Sequence, residues 1–232
     1  MRRSPIVDRI WDATIWPGLK RGLNAVHYGG VARDLASDEP LLLVANHVSW
    51  WDGFLLRELR RCLGRDASHY SVMLSRELQK HPVLGGIGAV GIEPGAAASL
   101  RALLRDLSAW REECPAMSVS FFPQGRIWPA HRRPLGFQRG VEGIARVLLP
   151  VTVLPVAIHV EPLTGSRPTA FVLAGEPVRV ADPSDTEGLA ASLEATIETL
   201  LDHTHDLLNQ YGEASPEAWA RENPASLAFH RG

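Results

Sequence analysis

From residue 41 onward the sequence alternates short apolar runs with segments of helical periodicity. Leu41–Ala45 and Val151–Val160 are apolar runs typical of buried strands, whereas Asp52–Leu63 and Ala97–Trp110 place their apolar residues on one helical face. Strand and helix in repeated alternation predict an α/β domain with a mainly parallel central sheet flanked by helices. Ligands bind at the carboxyl ends of the strands in such sheets, so candidate site residues are expected there. The remaining predicted elements are strands over Tyr70–Leu74, Met117–Phe122, Thr169–Ala174 and Glu176–Val180, and a helix over Val141–Leu149.

The two ends of the chain differ from the middle in charge and periodicity. Residues 1–35 combine Arg and Lys with Trp and Ile, a composition typical of amphipathic helices at a membrane interface, and an amphipathic pair packed on the core has the same pattern. Pro17 and Gly18 are expected to divide this segment into two short helices. Residues 182–213 have acidic side chains, no Lys or Arg, and leucines at helical spacing, which predicts an acidic amphipathic helix. We therefore expect N-terminal helices in residues 1–35, one α/β domain in residues 36–215 and a tail in residues 216–232.

Composition restricts the class of function. With a formal net charge of -2, the chain lacks the bulk positive charge of a protein that coats nucleic acid. No apolar stretch reaches the length of about 18 residues that a spanning helix needs. The two cysteines, Cys62 and Cys114, fit no zinc or redox spacing, which favours a reducing compartment. We expect a cytoplasmic protein with no nucleic-acid partner.

A histidine and an aspartate follow the first strand of this domain. The segment Asn46-His47-Val48-Ser49-Trp50-Trp51-Asp52 runs from the end of that strand into the next helix. A carboxylate bonded to one ring nitrogen of His47 would fix the tautomer and leave the other nitrogen free as a base, so His47 and Asp52 are candidate catalytic residues. The spacing also arises by chance, and Ser49 with Asp52 is typical of a helix capping box.

A second cluster follows the strand that contains Phe121. Phe122-Pro123-Gln124-Gly125-Arg126 combines a tight turn, with exposed backbone N–H groups, and a guanidinium, and Arg139 opens the next helix. Such an arrangement can hold an anion or an oxyanion, and a solvated basic loop has the same composition. The sequence contains no G-x-S-x-G elbow, no cysteine beside a histidine and no H-E-x-x-H motif. A base at His47 is therefore expected to act on a bound hydroxyl, with no metal and no cofactor.

These blocks, taken in order, resemble the glycerolipid acyltransferases, the family of the bacterial 1-acylglycerol-3-phosphate acyltransferases. Asn46, His47 and Asp52 match the family's N-H-x4-D motif, and residues 122–126 match F-P-E-G-T-R in part, with Gln124 in place of glutamate. Three weaker blocks also match: Arg76-Glu77-Leu78 with Pro82 and Gly85, Phe137-Gln138-Arg139-Gly140, and Val153-Leu154-Pro155-Val156. The resemblance covers roughly residues 40–160.

The resemblance implies transfer of a fatty acyl group from acyl-CoA or acyl carrier protein to the hydroxyl of a lysophospholipid or related lipid. It assigns His47 and Asp52 to catalysis, and Asn46, Pro123, Gln124, Gly125, Arg126 and Arg139 to substrate binding. It also implies a peripheral location at the surface of the cytoplasmic membrane. Where the family usually has an arginine for the acceptor phosphate, this chain has Pro94, so the acceptor lipid is left open. A lipid ester or thioester hydrolase and a non-catalytic lipid-binding protein are the alternatives.

Overall fold

The structure is a computed structural model that describes residues 13, 17–18, 21–30, 35, 38–65, 67–223 and 228–229. Its strands are β1 (Ala25–Gly30), β2 (Leu41–Ala45), β3 (His69–Leu74), β4 (Ala89–Ile92), β5 (Ser118–Phe121), β6 (Val151–Glu161), β7 (Thr169–Ala174), β8 (Val178–Val180) and β9 (Ala228–Phe229). Its α-helices are α1 (Asp52–Cys62), α2 (Ser75–Lys80), α3 (Ala97–Glu113), α4 (Gly140–Val147), α5 (Leu189–Tyr211) and α6 (Ser215–Glu222). Short 3₁₀ helices cover Pro82–Ile87, Pro183–Thr186 and Gly212–Ala214.

The strands form one sheet in the order β4-β3-β5-β2-β6-β7-β1-β9, with β8 beside β6. Strands β4, β3, β5, β2 and β6 run parallel, and β7 turns antiparallel to β6. The predicted α/β fold with a mainly parallel sheet is confirmed. Strands β2 and β5 are direct neighbours, with Val44 opposite Phe121. The segments that follow these two strands therefore leave the sheet side by side.

Two apolar layers cover the sheet, one on each face. In β2, Leu41 and Leu43 point toward α1 and pack with Leu55, while Leu42 and Val44 point to the opposite face. That opposite layer contains apolar residues of α3, α4, α5 and α6. Because successive side chains of a strand alternate between faces, a strand covered on both sides is apolar throughout, which is why β2 is a continuous apolar run.

The predicted N-terminal helices are only partly covered by the described residues. Ala25–Gly30 is strand β1, paired with β7 and β9, so the helical prediction for residues 1–35 is wrong over this stretch. Tyr28 of β1 is buried and donates its hydroxyl to the Leu55 carbonyl at 3.2 Å. Pro17 and Gly18 are helical, but residues 14–16 and 19–20 and most of the predicted helical pair lie outside the described residues, so the break predicted at Pro17 and Gly18 stays a prediction. The basic and aromatic composition of the segment favoured a helical prediction where the chain forms a six-residue strand.

The predicted tail also contains structure. Residues Ser215–Glu222 form α6, and Trp219 is fully buried against Phe171, with 5.2 Å between ring centroids. The indole N–H of Trp219 lies 3.3 Å from the Tyr28 carbonyl, to which it donates. A helix of two turns with one large apolar residue has too few repeats to give a periodic signal. Among the described residues, no helix combines the length and the apolar character needed to cross a membrane.

Candidate active site

Two segments meet at the carboxyl ends of β2 and β5. Residues 46–51 follow β2, and residues 122–139 follow β5. The backbone N–H of His47 donates to the side-chain oxygen of Gln124 at 2.7 Å, and the N–H of Trp128 donates to the His47 carbonyl at 2.8 Å. These two bonds attach His47 to the segment after β5 through both its backbone N–H and its backbone carbonyl.

The His47 side chain is paired with Asp52. Its Nδ1 lies 2.7 Å from Oδ2 of Asp52, whose carboxylate is fully buried, and about a quarter of the imidazole remains exposed. The Phe122 ring stacks on the imidazole with 4.5 Å between centroids. Since a carboxylate accepts the hydrogen bond, the ring proton resides on Nδ1, and Nε2 of neutral His47 carries a lone pair. The arrangement suits a general base.

The Asp52 carboxylate is held by its own loop. Oδ2 also accepts the backbone N–H groups of Val48 at 2.6 Å and Ser49 at 2.9 Å, and Oδ1 accepts the Ser49 hydroxyl. Helix α1 starts at Asp52, with Trp51 at its N-cap and no side-chain cap. The Ser49–Asp52 pair is therefore not a capping box for this helix. Its hydrogen bonds orient the carboxylate toward the imidazole.

Asn46 lies behind this loop and is fully buried. Its side-chain amide donates to the Ile158 carbonyl and accepts from the Ile158 N–H, both at 2.8 Å. The amide thus continues the pairing of β2 with β6 by one residue. Asn46 is not among the residues that line the two cavities described next.

An apolar cavity of about 470 Å³ opens beside the imidazole. It reaches from His47 into the space between the ends of β3, β4 and β5. Its apolar walls include Phe54, Val72, Leu84, Ile87, Phe121 and Ile127. The dimensions and the apolar lining fit a hydrocarbon chain.

A second, polar cavity of about 680 Å³ adjoins the first. Arg76, Gly125, Arg126 and Gln138 line both cavities, so the two spaces lie side by side with shared walls. The polar cavity is further lined by Ser75, Gln79, Glu93, Gln124, Trp128 and Arg132. Arginine and amide side chains can bind an anionic, hydroxyl-bearing group through several hydrogen bonds.

Trp128 organises the arginines of the polar cavity. The guanidinium carbons of Arg126 and Arg132 lie 4.3 and 3.6 Å from the centroid of its ring. Cation–π contact restrains both guanidinium groups next to the cavity. Pro94 stands where the resembling family usually has an arginine. It lines both cavities.

The residues predicted to bind substrate fall into three groups. Pro123, Gly125 and Arg126 line the apolar cavity. Gly125 has a φ of +68°, and its N–H closes a turn on the Phe122 carbonyl, so the predicted tight turn is present. Gln124 is buried, and its side chain joins His47 to the Leu135 carbonyl, to which its amide donates at 3.2 Å.

Arg139 and Asn46 lie away from the cavities. Arg139 is exposed, pairs with Glu142 at 2.8 Å, and is absent from the lining of either cavity. Its predicted role in substrate binding has no support from this placement.

Sequence reasoning missed Trp128 and Gln138 as site residues. Trp128 lies between Arg126 and Arg132 in the sequence. An aromatic residue within a basic segment indicates cation–π contact, so the sequence did contain a signal for Trp128. Gln138 belongs to the matching block Phe137-Gln138-Arg139-Gly140, but that match did not indicate that its side chain lies at the turn: its amide nitrogen is 3.1 Å from where a Cβ on Gly125 would stand. In the described part of the chain, no group of three or more His, Cys, Asp or Glu residues is arranged to hold a metal ion.

The fold and this site together define an α/β protein with a histidine–aspartate pair at the ends of parallel strands, next to an apolar cavity of about 470 Å³. The chain belongs to the Acyltransferase family, whose sequence model matches residues 30–159. No curated protein matches the sequence. Among solved structures, the chain is similar to the 1-acyl-sn-glycerophosphate (LPA) acyltransferase PlsC from Thermotoga maritima, with a TM-score of 0.56 and 18% sequence identity. That match covers 85% of this chain and 77% of the other chain.

Proposed function

We propose that the protein is an O-acyltransferase that moves a fatty acyl group from acyl-CoA or acyl carrier protein to the hydroxyl of a lysophospholipid or related lipid. One observation carries the proposal: His47 bonds through Nδ1 to the buried Asp52 carboxylate and lines an apolar cavity that adjoins a polar one. Membership of the Acyltransferase family supports the reaction class. The named substrate of PlsC supports a lysophospholipid as acceptor.

The proposed reaction is a direct transfer between two bound substrates. Nε2 of His47 takes the proton of the acceptor hydroxyl while that oxygen attacks the thioester carbonyl carbon. The new C–O bond forms, the C–S bond breaks, and the thiolate leaves with the proton that His47 has gained. Asp52 stabilises the imidazolium between these steps. General-base assistance of this kind contributes about 10²–10⁴-fold, or roughly 3–5 kcal/mol of barrier.

The two cavities suggest where the substrates bind. The apolar cavity accommodates the acyl chain, whose burial is favourable by roughly 0.8 kcal/mol per methylene. The polar cavity accommodates the acceptor headgroup, with Arg126 and Arg132 as its cationic contacts. The partners are therefore an acyl thioester, a lipid acceptor and the membrane surface that contains it, with the protein peripheral on the cytoplasmic membrane.

The test is an assay of purified protein with labelled acyl-CoA and a panel of lysophospholipid and glycolipid acceptors, with the lipid products separated. We expect a product that carries one additional acyl chain, formed only when an acceptor is present. Release of free fatty acid in the absence of acceptor would identify a hydrolase instead.

Two variants connect that activity to the site. His47→Ala should abolish transfer, and Asp52→Asn should reduce it by about 10²–10⁴-fold because the amide no longer holds the required tautomer. His203→Ala, an exposed histidine of α5 that pairs with Glu222, is the matched control. If His47→Ala left thioester consumption unchanged while the protein still bound liposomes, the non-catalytic alternative would be correct.

A further inference from the structure

Large apolar side chains are exposed at few places in the described part of the chain. Val83 is 53% exposed, Ile127 51%, Trp50 43% and Val178 43%. Single exposed apolar residues are ordinary on protein surfaces, whereas a group of them marks an interaction site. Two of these four residues, Trp50 and Ile127, line the apolar cavity, and Val83 directly precedes Leu84, which also lines it.

The three residues belong to different segments that come together there. Trp50 and Ile127 line the cavity themselves. The Trp50 ring lies 4.8 Å from the ring of His81, two residues before Val83. Leu84, next to Val83, lines the cavity from within. We call Trp50, Val83 and Ile127 the apolar rim.

Basic side chains flank the apolar rim. Arg76 and Lys80 of α2 have side chains that are 74% and 64% exposed, and Arg126 is exposed as well. The nearby carboxylate of Glu77 lies 3.0 Å from Lys80 and 3.5 Å from Arg76. With Arg132 and Glu93 of the polar cavity included, four cations face two carboxylates. Apolar tips among net positive charge are the composition that binds an anionic lipid interface.

We propose that the apolar rim inserts into the interfacial layer of a bilayer that contains anionic lipids, so that the mouth of the apolar cavity faces the acyl chains. This inference deepens the proposed function, because it rests on a lipid substrate that enters at the rim. A bilayer is favoured over a protein partner since three separate apolar tips do not form the packed apolar core of a stable protein interface, which buries about 800 Å² per partner in total. The cavity behind the rim also continues the same apolar surface inward.

The fourth exposed residue provides a matched control. Val178 begins β8, beside the N-terminal half of β6, and lines neither cavity. In a full-length protein with Cys62→Ser and Cys114→Ser, a cysteine placed at Val83 or at Val178 takes an environment-sensitive fluorophore. On vesicles of phosphatidylcholine with phosphatidylglycerol, we expect a blue shift for the label at position 83 and quenching by brominated acyl chains. The label at position 178 should show neither. Equal responses at the two positions would overturn the proposal.

A charge substitution gives a second, independent measurement. Val83→Glu should lower the partition coefficient onto the same vesicles by about tenfold, as expected for one Val side chain that no longer enters an apolar environment. Val178→Glu should bind as the unmodified protein does. Identical partition of the two variants would contradict the proposal. Because neither measurement requires acyl transfer, a failure here is distinguishable from a failure of the proposed reaction.

Discussion

Gln124 accepts, through its side-chain oxygen, a hydrogen bond of 2.7 Å from the backbone N–H of His47. The same side chain donates to the Leu135 carbonyl, so one buried amide connects the proposed base to the far end of the segment after β5. The position of the imidazole therefore depends on a residue that has no contact with its ring nitrogens.

Replacing Gln124 with Leu leaves two backbone groups without this partner, the N–H of His47 and the carbonyl of Leu135. Each buried unpaired group costs about 1–3 kcal/mol. We expect a lower free energy of unfolding in urea together with a reduced kcat. Gln124→Glu should recover part of the kcat, because a carboxylate oxygen still accepts the His47 N–H. Equal kcat values in the two variants would show that this bond does not position the base.

Arg126 is expected to contribute mainly to acceptor binding, because it lines both cavities and lies over Trp128. Arg126→Ala should raise the KM for the acceptor by about tenfold to a hundredfold, the range given by a hydrogen bond to a charged group of about 1.5–3 kcal/mol. The KM for acyl-CoA should change far less. Steady-state kinetics with each substrate varied in turn measures the difference.

Arg105→Ala, on the exposed surface of α3 where Arg105 pairs with Asp106, is the control for loss of a positive charge. The same kinetics decide the sequence prediction for Arg139. Because the Arg139 guanidinium is exposed and paired with Glu142, Arg139→Ala should have little effect on either KM. An equal increase in both KM values for Arg126→Ala would remove Arg126 from the headgroup site.

Pro94 offers a test of acceptor choice. It lines both cavities, so an arginine there would add a cation to the space proposed for the headgroup. We expect Pro94→Arg to increase kcat/KM for lysophosphatidate, a phosphomonoester, relative to lysophospholipids with larger headgroups. Competition between two acceptors in one reaction measures this ratio directly. Pro129→Arg, at an exposed position, should leave the ratio unchanged.

A histidine pair near the site predicts a pH-dependent stability. His159 of β6 lies 3.1 Å from His205 of α5 and 2.8 Å from Glu161. Burial lowers the pKa of His205, and the neighbouring His159, Arg133 and His131 lower it further, while Asp202 opposes them. The unfolded chain therefore takes up this proton first, near a pKa of about 6.5. The stability is complete above that value and decreases as the pH falls toward the lowered pKa.

His205→Gln should consequently show a smaller decrease in Tm between pH 7.5 and pH 5.5 than the unmodified protein. His203→Gln, on the exposed face of the same helix, should retain the full decrease. Thermal unfolding at a series of pH values measures both. The opposite order of the two variants would exclude His205 as the source of the pH dependence.

The sequence predicted the parts of the fold and of the site that depend on local patterns. Strand β2 was predicted with its observed bounds, because a strand buried on both faces is a continuous apolar run. His47 and Asp52 were predicted as a pair because they are only five positions apart in the chain. The Asn46 amide was also in the motif, but its bonds to Ile158 join residues 112 apart and no local pattern indicates them.

The parts that were missed depend on contacts between distant residues. Strand β1 is stabilised by pairing with β7, whose partner residues come more than 140 positions later in the chain. Trp219 becomes a core residue only because β1 and β7 are adjacent, so that Tyr28 and Phe171 both reach it. The polar cavity likewise requires the ends of β3, β4 and β5 to be assembled before Arg76, Glu93 and Arg132 line one space.

Substitutions should affect proton transfer and acceptor selectivity differently, because Asp52 is held within the short loop between β2 and α1. In the part of the chain that the structure describes, every hydrogen bond to the Asp52 carboxylate comes from residues 47–49, so the orientation of this carboxylate is set within its own loop, whereas His47 is also held by Gln124 and Trp128. The headgroup side has no such autonomy, since it is assembled from three strands' ends and the segment of residues 122–138. Substitutions at positions spread over the sheet should therefore reduce selectivity among acceptors before they reduce kcat. The lipid acceptor can thus change in evolution while the proton transfer is retained.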